Sequence, residues 1–235
     1  MKKKLALLVA PVVMLAASAA TAETQWGVTP YVGADAEWRH IGLQRGAGKN
    51  LFSHDYPQGN IYAGVKFNEY VGVEVGYEAT ERKTRTVTLG PGELTNAVNG
   101  IVVPEGYTVS YNSTGQYKGP HADLMGFYPI CDSYRLSLIG LVGIANLKAN
   151  FTRVLFNASG ISTNVISTYM KKKAILRLGA GIQHMISEQW GVRAMVKWEN
   201  TDKLTNIGSQ IGANTSTVVG NNNSFIYSIG AFVKF

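Results

Sequence analysis

Eight stretches of alternating residue type, joined by connections that are by turns long and short, constrain this chain more than any other feature of its sequence. Side chains on a strand point to opposite faces in turn, so such a stretch makes a ribbon with one apolar face. The first, Trp26 to Arg39, sets Val28, Val32, Ala34, Ala36 and Trp38 against Tyr31, Gly33, Asp35, Glu37 and Arg39. The second and third set Ile61, Ala63, Val65 and Phe67 against Tyr62, Gly64 and Lys66, then Val71, Val73, Val75 and Tyr77 against Gly72, Glu74, Gly76 and Glu78. Between them, Asn68-Glu69-Tyr70 is the length of a tight hairpin turn.

The fourth stretch, Tyr117 to Tyr128, places Ala122, Leu124, Gly126 and Tyr128 opposite His121, Asp123, Met125 and Phe127. The fifth, Tyr134 to Leu147, is apolar on both faces and admits either register; we place Leu136, Leu138, Gly140, Val142 and Ile144 outward and Arg135 inward. The sixth and seventh set Leu176, Leu178, Ala180 and Ile182 against Arg177, Gly179, Gly181 and Gln183, then Trp190, Val192, Ala194, Val196 and Trp198 against Arg193, Lys197 and Glu199. The last, Ser224 to Phe235, carries Phe225, Tyr227, Ile229, Ala231, Val233 and Phe235 on one face, with Ile226, Ser228, Gly230, Phe232 and Lys234 on the other.

The long connections are His40 to Gly59, Thr80 to about Gly115, Lys148 to Lys172, and Asn200 to Asn223. The short ones are Asn68 to Tyr70, Pro129 to Ser133 (which holds Cys131), and Ser187 to Gln189. Within the longest connection, Thr84 to Leu89 and Tyr107 to Tyr111 alternate again and are expected to prolong their neighbours into a projecting hairpin. This layout predicts an all-β fold, an eight-stranded antiparallel up-and-down transmembrane β-barrel with long extracellular loops and short periplasmic turns. Trp190 and Trp198 share a face and lie roughly 26 Å apart at about 3.3 Å per residue, close to the height of an apolar belt between aromatic girdles. A water-soluble barrel of the same strand count would need these faces reversed, with the tryptophans inside.

Met1-Lys2-Lys3-Lys4, the apolar run Leu5 to Ala20 and the small residues Ala20-Thr21-Ala22 are the three parts of a secretory signal peptide, so residues 1–22 are set apart and 23–235 form the barrel domain. A membrane anchor is the competing reading, but the run is short and polar residues follow at once. Beyond residue 22 no apolar run of about eighteen residues exists, so a span must be made by strands. The formal net charge of +7 falls by three to +4 when the signal lysines leave, and export argues further against nucleic-acid binding. One cysteine permits neither an intramolecular disulfide nor a cysteine metal cluster.

Two motifs carry a family resemblance. Gly64-Val65-Lys66-Phe67-Asn68-Glu69-Tyr70-Val71-Gly72-Val73-Glu74-Val75-Gly76-Tyr77 resembles the second and third strands of the OmpA-like small outer-membrane β-barrels, and Arg177 to Gln183 with Trp190 to Ala194 is similar to a later hairpin of that family. Ser228-x-Gly230-x-x-Val233-x-Phe235 resembles their C-terminal assembly signal. The resemblance implies an outer-membrane location, handling by periplasmic chaperones and the barrel-assembly machinery, a monomer among outer-membrane lipids and lipopolysaccharide, and loops open to an unidentified surface ligand. It also implies an interior network of carboxylates and arginines.

In this register Arg39, Lys66, Arg135, Arg177, Arg193 and Lys197 point inward with Asp35, Glu37, Glu74, Glu78, Asp123 and Glu199. An eight-stranded barrel is just wide enough for side chains to fill it, and charges held there must be paired. We therefore expect an ion-paired plug of Glu74, Arg177, Arg193, Lys197, Asp123 and Lys66; a narrow, low-conductance channel is the alternative. No Gly-x-Ser-x-Gly or His-x-Ser arrangement accompanies the histidines, so no catalytic residues are assigned. His40 and His54 lie in the first long connection and His121 on the fourth stretch, which makes no metal-ligand cluster, and neither metal nor cofactor is expected. Arg82, Lys83, Arg85, Lys118, Lys148, Arg153, Lys171, Lys172 and Lys173 fall near the outer strand ends, where a basic rim could meet lipopolysaccharide phosphates.

Overall fold

The computed structural model describes residues 28–44, 52–90, 94–95, 101–102, 105, 108–131, 135–157, 166–201 and 220–235. The expected signal peptide at 1–22 lies outside them. The strands are β1 (Thr29–Gln44), β2 (Asp55–Lys66), β3 (Val71–Thr80), β4 (Lys83–Leu89), β5 (Leu94–Thr95), β6 (Ile101–Val102), β7 (Val109–Cys131), β8 (Leu136–Asn157), β9 (Ile166–Met185), β10 (Trp190–Glu199) and β11 (Gly220–Lys234). Eight of them close a single antiparallel sheet in the order β3-β2-β1-β11-β10-β9-β8-β7, with β7 returning to β3. The seam joins β1 to β11 from Tyr31↔Lys234 to Gln44↔Gly220, so the first and last strands leave no edge. Among the described residues no helix is long and apolar enough to cross a membrane.

Alternation decides which way the wall faces. Arg39 and Arg177 are fully buried, whereas Ile229 and Ile144 are 67% and 60% exposed. Apolar side chains on the outside and charged ones within are the inverse of a soluble barrel and suit a wall seated in lipid. Phe67, Tyr70, Tyr128, Trp190 and Phe235 ring the outside near the short turns, and Trp38 and Phe225 stand at the opposite end. Those short turns are fixed by side chains: Asn68 Oδ1 accepts the amides of Tyr70 and Val71, each at 2.8 Å, and Ser187 Oγ accepts those of Gln189 at 3.3 Å and Trp190 at 2.9 Å.

The wall is uneven in height. β7, β8 and β9 run 23, 22 and 20 residues, whereas β3 and β10 have 10 each. After a break at Glu81 and Arg82, β4 takes over from β3 and pairs with β7 from Lys83↔Gly115 to Leu89↔Val109. This projecting hairpin carries a polar ladder in place of the apolar belt, with Thr84–Thr114 at 2.8 Å, Thr86–Asn112 at 2.7 Å and Thr88–Ser110 at 2.9 Å between side chains.

Strand limits differ from the sequence expectation where polarity reads as loop. Residues 40–44 and 55–59 extend β1 and β2 beyond the apolar belt, and β8 continues through Lys148 to Asn157. β7 runs to Cys131 with a bulge after Pro129. Arg135 is not an inward strand residue: it is exposed in the β7–β8 turn with φ at 49°, a left-handed conformation that breaks the alternation at that point. The fifth stretch otherwise faces as placed, with Leu138, Val142 and Ile144 outward and Ile139, Leu141 and Ala145 buried.

Candidate functional site

The interior is a column of layers whose height is set by strand register. Nearest the short turns, Tyr31, Tyr62 and Phe232 meet edge to face, with ring centroids 6.3 and 6.1 Å apart. Phe127, Met125, Ile139, Leu141 and Met195 fill the same depth on the opposite wall. At the far end Tyr56, Tyr117, Phe151 and Phe52 form a second aromatic layer, their successive centroids 5.3, 5.5 and 4.9 Å apart. Between these two layers lie the charges.

The lower charged cluster is built on Arg193. Its guanidinium donates to Asp35 Oδ1 at 3.0 Å and Oδ2 at 2.7 Å, and to Glu74 Oε2 at 2.6 Å and Oε1 at 3.2 Å, while lying 3.6 Å from the centre of the Tyr62 ring. Tyr31 donates its hydroxyl to Glu74 at 3.3 Å. Lys197 binds Glu37 at 2.6 Å and approaches Asp35 at 3.6 Å. Such forked contacts exploit the planar guanidinium and fix the relative positions of three strands.

The upper cluster is built on Arg39, which bridges Glu78 at 2.5 Å and Glu199 and donates to Gln58 Oε1 at 2.7 Å. Gln58 donates in turn to Glu37 and to Glu78, the latter at 3.1 Å. Arg177 lies among Glu199, Glu78 and Asp123 at 3.3, 3.4 and 3.7 Å. His121 stands between Asp123 Oδ2 at 2.8 Å and Asn60 Oδ1 at 2.9 Å, and Asn60 donates to Asp35 at 3.2 Å, which links the two clusters.

Five of the expected network residues, Glu74, Arg177, Arg193, Lys197 and Asp123, thus meet in the column. Lys66 does not join them. Its ammonium sits 3.8 Å from the centre of the Phe127 ring, below the aromatic layer, and Arg135 is outside altogether. Among the described residues the charges of the column are therefore six carboxylates facing four fixed cations, with His121 beside them. Gln58, Asn60 and His121 were not expected as members; the signal available was the alternation of Gln58, Asn60 and Tyr62, which carries the second stretch upward from Tyr62.

What this arrangement can do chemically is limited by its burial. His121 and Asp123 form a dyad, but both are sealed inside and the second ring nitrogen is taken by Asn60. Glu74, His121 and Asp123 could present ligand atoms within 4.8 Å of one another, yet Glu74 is held by Arg193 and Asp123 by His121 and Arg177. A bound cation would have two guanidinium groups for neighbours.

Among the rim residues, Lys83 donates to the Asp55 carbonyl at 3.0 Å and Arg85 to the Phe52 carbonyl at 3.3 Å, so the two brace the start of β2 and the residues just before it. Arg82, Lys172 and Lys173 are exposed; the side chains of Lys171 and Arg153 lie outside the described residues. In the assembly motif, Ser228, Gly230, Val233 and Phe235 run down the seam, where Ser228 pairs with Glu37 and Met195, Gly230 with Asp35 and Arg193, and Val233 with Val32 and Trp190. The Phe235 amide donates to the Pro30 carbonyl at 3.0 Å.

A closed eight-stranded wall with an apolar exterior, aromatic ends and a charged interior defines a transmembrane β-barrel of the outer-membrane class. The family model described as outer membrane protein beta-barrel domain matches residues 5–228, and the chain belongs to that family. Neisserial surface protein A is a structural neighbour at 16% identity and TM-score 0.50, covering 89% of this chain and 99% of its own. Ail of Yersinia pestis is 16% identical, with TM-score 0.45 and coverage of 88% and 97%, and OprG of Pseudomonas aeruginosa is 12% identical, with TM-score 0.46 and coverage of 89% and 96%. At this identity the likeness is one of fold. A search of curated proteins gave no match.

Proposed function

We propose that the protein is a non-enzymatic, monomeric structural barrel of the outer membrane that anchors lipopolysaccharide at its outer rim and has a packed interior closed to ion flow. In this reading residues 1–22 direct export, chaperones and the assembly machinery deliver the barrel, the long loops face outward, and the short turns face the periplasm.

The observation that carries it is a row of three lysines. Register places Lys118 opposite Lys148 and Lys148 opposite Lys172, on three adjacent strands. All three share the outward parity of Ala122, Ile144 and Leu176, and they stand four residues along each strand above that apolar row. Like charges directly opposite one another are destabilising in a sheet. A polyanion lying across the three strands at the membrane border would relieve that repulsion, and the phosphates of lipid A have the charge and the depth. Alternation also separates the consecutive Lys171, Lys172 and Lys173: only Lys172 joins the outward row.

Changing Lys118, Lys148 and Lys172 together to Gln tests it. At about 1 kcal/mol per lysine near an anionic surface, lipopolysaccharide binding to the refolded barrel is expected to weaken roughly a hundredfold. Undiminished binding would end the proposal for the rim. The closed interior predicts baseline conductance in planar bilayers for the folded protein and for Glu74→Ala alike; discrete openings in either would favour the narrow pore.

A further inference from the structure

The interior and the short-turn mouth are electrostatically opposite. Among the described residues above the aromatic layer of Tyr31, Tyr62, Phe232 and Phe127, carboxylates outnumber fixed cations. Below it Lys66, Lys234 and Arg135 converge from the ends of β2 and β11 and from the β7–β8 turn around one open pocket of about 450 Å³. The apolar layer keeps the two apart, so the excess carboxylates of the column cannot neutralise the mouth. Among the described residues none of these three cations makes an ion pair within 4.0 Å. Lys66 rests on the face of Phe127, and it is close enough to Lys234, as Lys234 is to Arg135, for the like charges to repel, while Glu69 on the turn attracts Lys66 without forming an ion pair within 4.0 Å.

From this arrangement we infer that the mouth pocket is a binding site for a phosphate-type anion. Lys66 and Lys234 approach it from inside the barrel, each partly buried, and Arg135 closes it from the turn. Gln183, Ser137 and Ser187 add neutral polar groups to the lining, while Glu69 and Glu188 on the turns set its rim and disfavour a highly charged ligand. One phosphate placed among the three cations would convert two repulsions into three attractions, and a guanidinium with two ammonium groups is a donor set suited to its oxygens. Arg135 is held in position by backbone, since its carbonyl accepts the Met185 amide at 3.0 Å and its left-handed φ turns the chain there.

Two sources share this chemistry. One is the headgroup of an anionic phospholipid in the leaflet that surrounds the short turns; the other is free phosphate in the periplasm. The site is separate from the lysine row at the opposite end, and only the assignment of its leaflet rests on the proposed orientation.

The test uses the full refolded barrel, with folding verified by heat-modifiable gel mobility. Inorganic phosphate is titrated against chloride at constant ionic strength while thermal stability is followed. A saturable rise in melting temperature is expected, with the phosphate concentration at half effect raised about tenfold or more in Lys66→Gln/Lys234→Gln, the loss of one or two charge-assisted contacts. Arg135→Asn, which tolerates the left-handed φ, is expected to shift it in the same direction. Stabilisation by phosphatidylglycerol over phosphatidylcholine vesicles that is lost in the double variant, without a response to free phosphate, assigns the site to lipid; a response to free phosphate alone assigns it to the soluble anion. No saturable response to either probe, or a response unchanged in the double variant and abolished in Lys118→Gln/Lys148→Gln/Lys172→Gln, would overturn the inference.

Discussion

Arg193 on β10 grips Asp35 on β1 through two parallel hydrogen bonds, Nη2 to Oδ2 at 2.7 Å and Nε to Oδ1 at 3.0 Å, although β11 lies between the two strands in the sheet. The same guanidinium holds Glu74 on β3. One side chain therefore ties together strands that backbone hydrogen bonds do not join directly.

Removing that tie leaves Glu74 buried without its cation and Asp35 with Lys197 alone, at 3.6 Å. Arg193→Leu is expected to cost about 3–5 kcal/mol, the penalty typical of breaking a buried ion pair on one side. Arg193→Lys should lose less but still measurably, because an ammonium cannot make the fork. Urea unfolding in lipid vesicles, followed by tryptophan fluorescence, reads the change. Adding Asp35→Asn and Glu74→Gln to Arg193→Leu should recover part of it; if the single variant unfolds at the wild-type midpoint, the clamp contributes nothing.

Glycines on the two faces of the wall should respond in opposite ways. A methyl group added at Gly64 would fall on the ring of Tyr31, which packs across that glycine inside the barrel, whereas at Gly126 the nearest atom is the Gly140 carbonyl oxygen at 4.0 Å. Gly64→Ala is expected to destabilise by about 1–3 kcal/mol through overpacking. Gly126→Ala should stay within roughly 0.5 kcal/mol of wild type. Equal effects in the same unfolding assay would mean that the Tyr31 ring is free to move aside.

Much of this architecture is legible in the sequence because a lipid-facing wall allows few exceptions to alternation. Every outward residue of β3 and β10, from Val71 to Tyr77 and from Trp190 to Trp198, shows in the pattern, and so does the seam of Ser224 to Phe235 against β1. The hairpin of β4 with β7 is legible because Thr84 to Leu89 keeps period two in water. Alternation gives the face of a residue and not its height in the barrel. Lys66 has the parity of Tyr62, but it lies below the aromatic layer, where no carboxylate of the column reaches it. Arg135 departs for another reason, since a left-handed residue in the turn resets the alternation before β8 begins. Gln58 is hidden by its neighbours Asp55, Pro57 and Gly59, whose composition resembles a loop although they are paired with β1.

The outer aromatic layer should behave as a packed core. Phe151 is buried against Phe52 and Tyr117, with centroids 4.9 and 5.5 Å away. Phe151→Ala is expected to cost about 3–5 kcal/mol. Because Phe52 lies where the chain approaches β2, protease cleavage between β1 and β2 should also become faster. Unchanged cleavage together with unchanged stability would show that the layer is not closed by these contacts.

At the same end, His40 donates to the exposed Asp55 carboxylate at 2.8 Å and Trp38 donates to it at 3.3 Å. The hydrogen bond from His40, aided by that from Trp38, holds the Asp55 carboxyl below its usual range. A depressed carboxyl contributes stability that is present above the ordinary aspartate range and lost as pH falls through the lowered value. The group is exposed and screened, so Asp55→Asn should change stability at neutral pH by less than about 1 kcal/mol. The difference between wild type and variant should vanish in acid, and a difference that grows on acidification would reverse the sign argued here.

Phe235 adds to the closure at the seam. Lys234 donates its amide to the Gln189 carbonyl on one side at 2.8 Å, and Phe235 donates to that of Pro30 on the other at 3.0 Å, so the end of β11 is fastened to the turn before β10 and to β1 at the short-turn mouth. The Phe235 ring lies on the apolar exterior with Trp190, beyond the last rung of the seam. Deleting Phe235 removes one backbone bond and the aromatic anchor while leaving the charged column and the lysine row intact. It should therefore lower the amount of barrel that reaches the outer membrane more than it lowers the stability of the folded fraction. Quantifying the heat-modifiable species in membrane fractions beside urea unfolding of the purified barrel separates the two effects, and membrane levels equal to wild type would show that Phe235 is not part of an assembly signal.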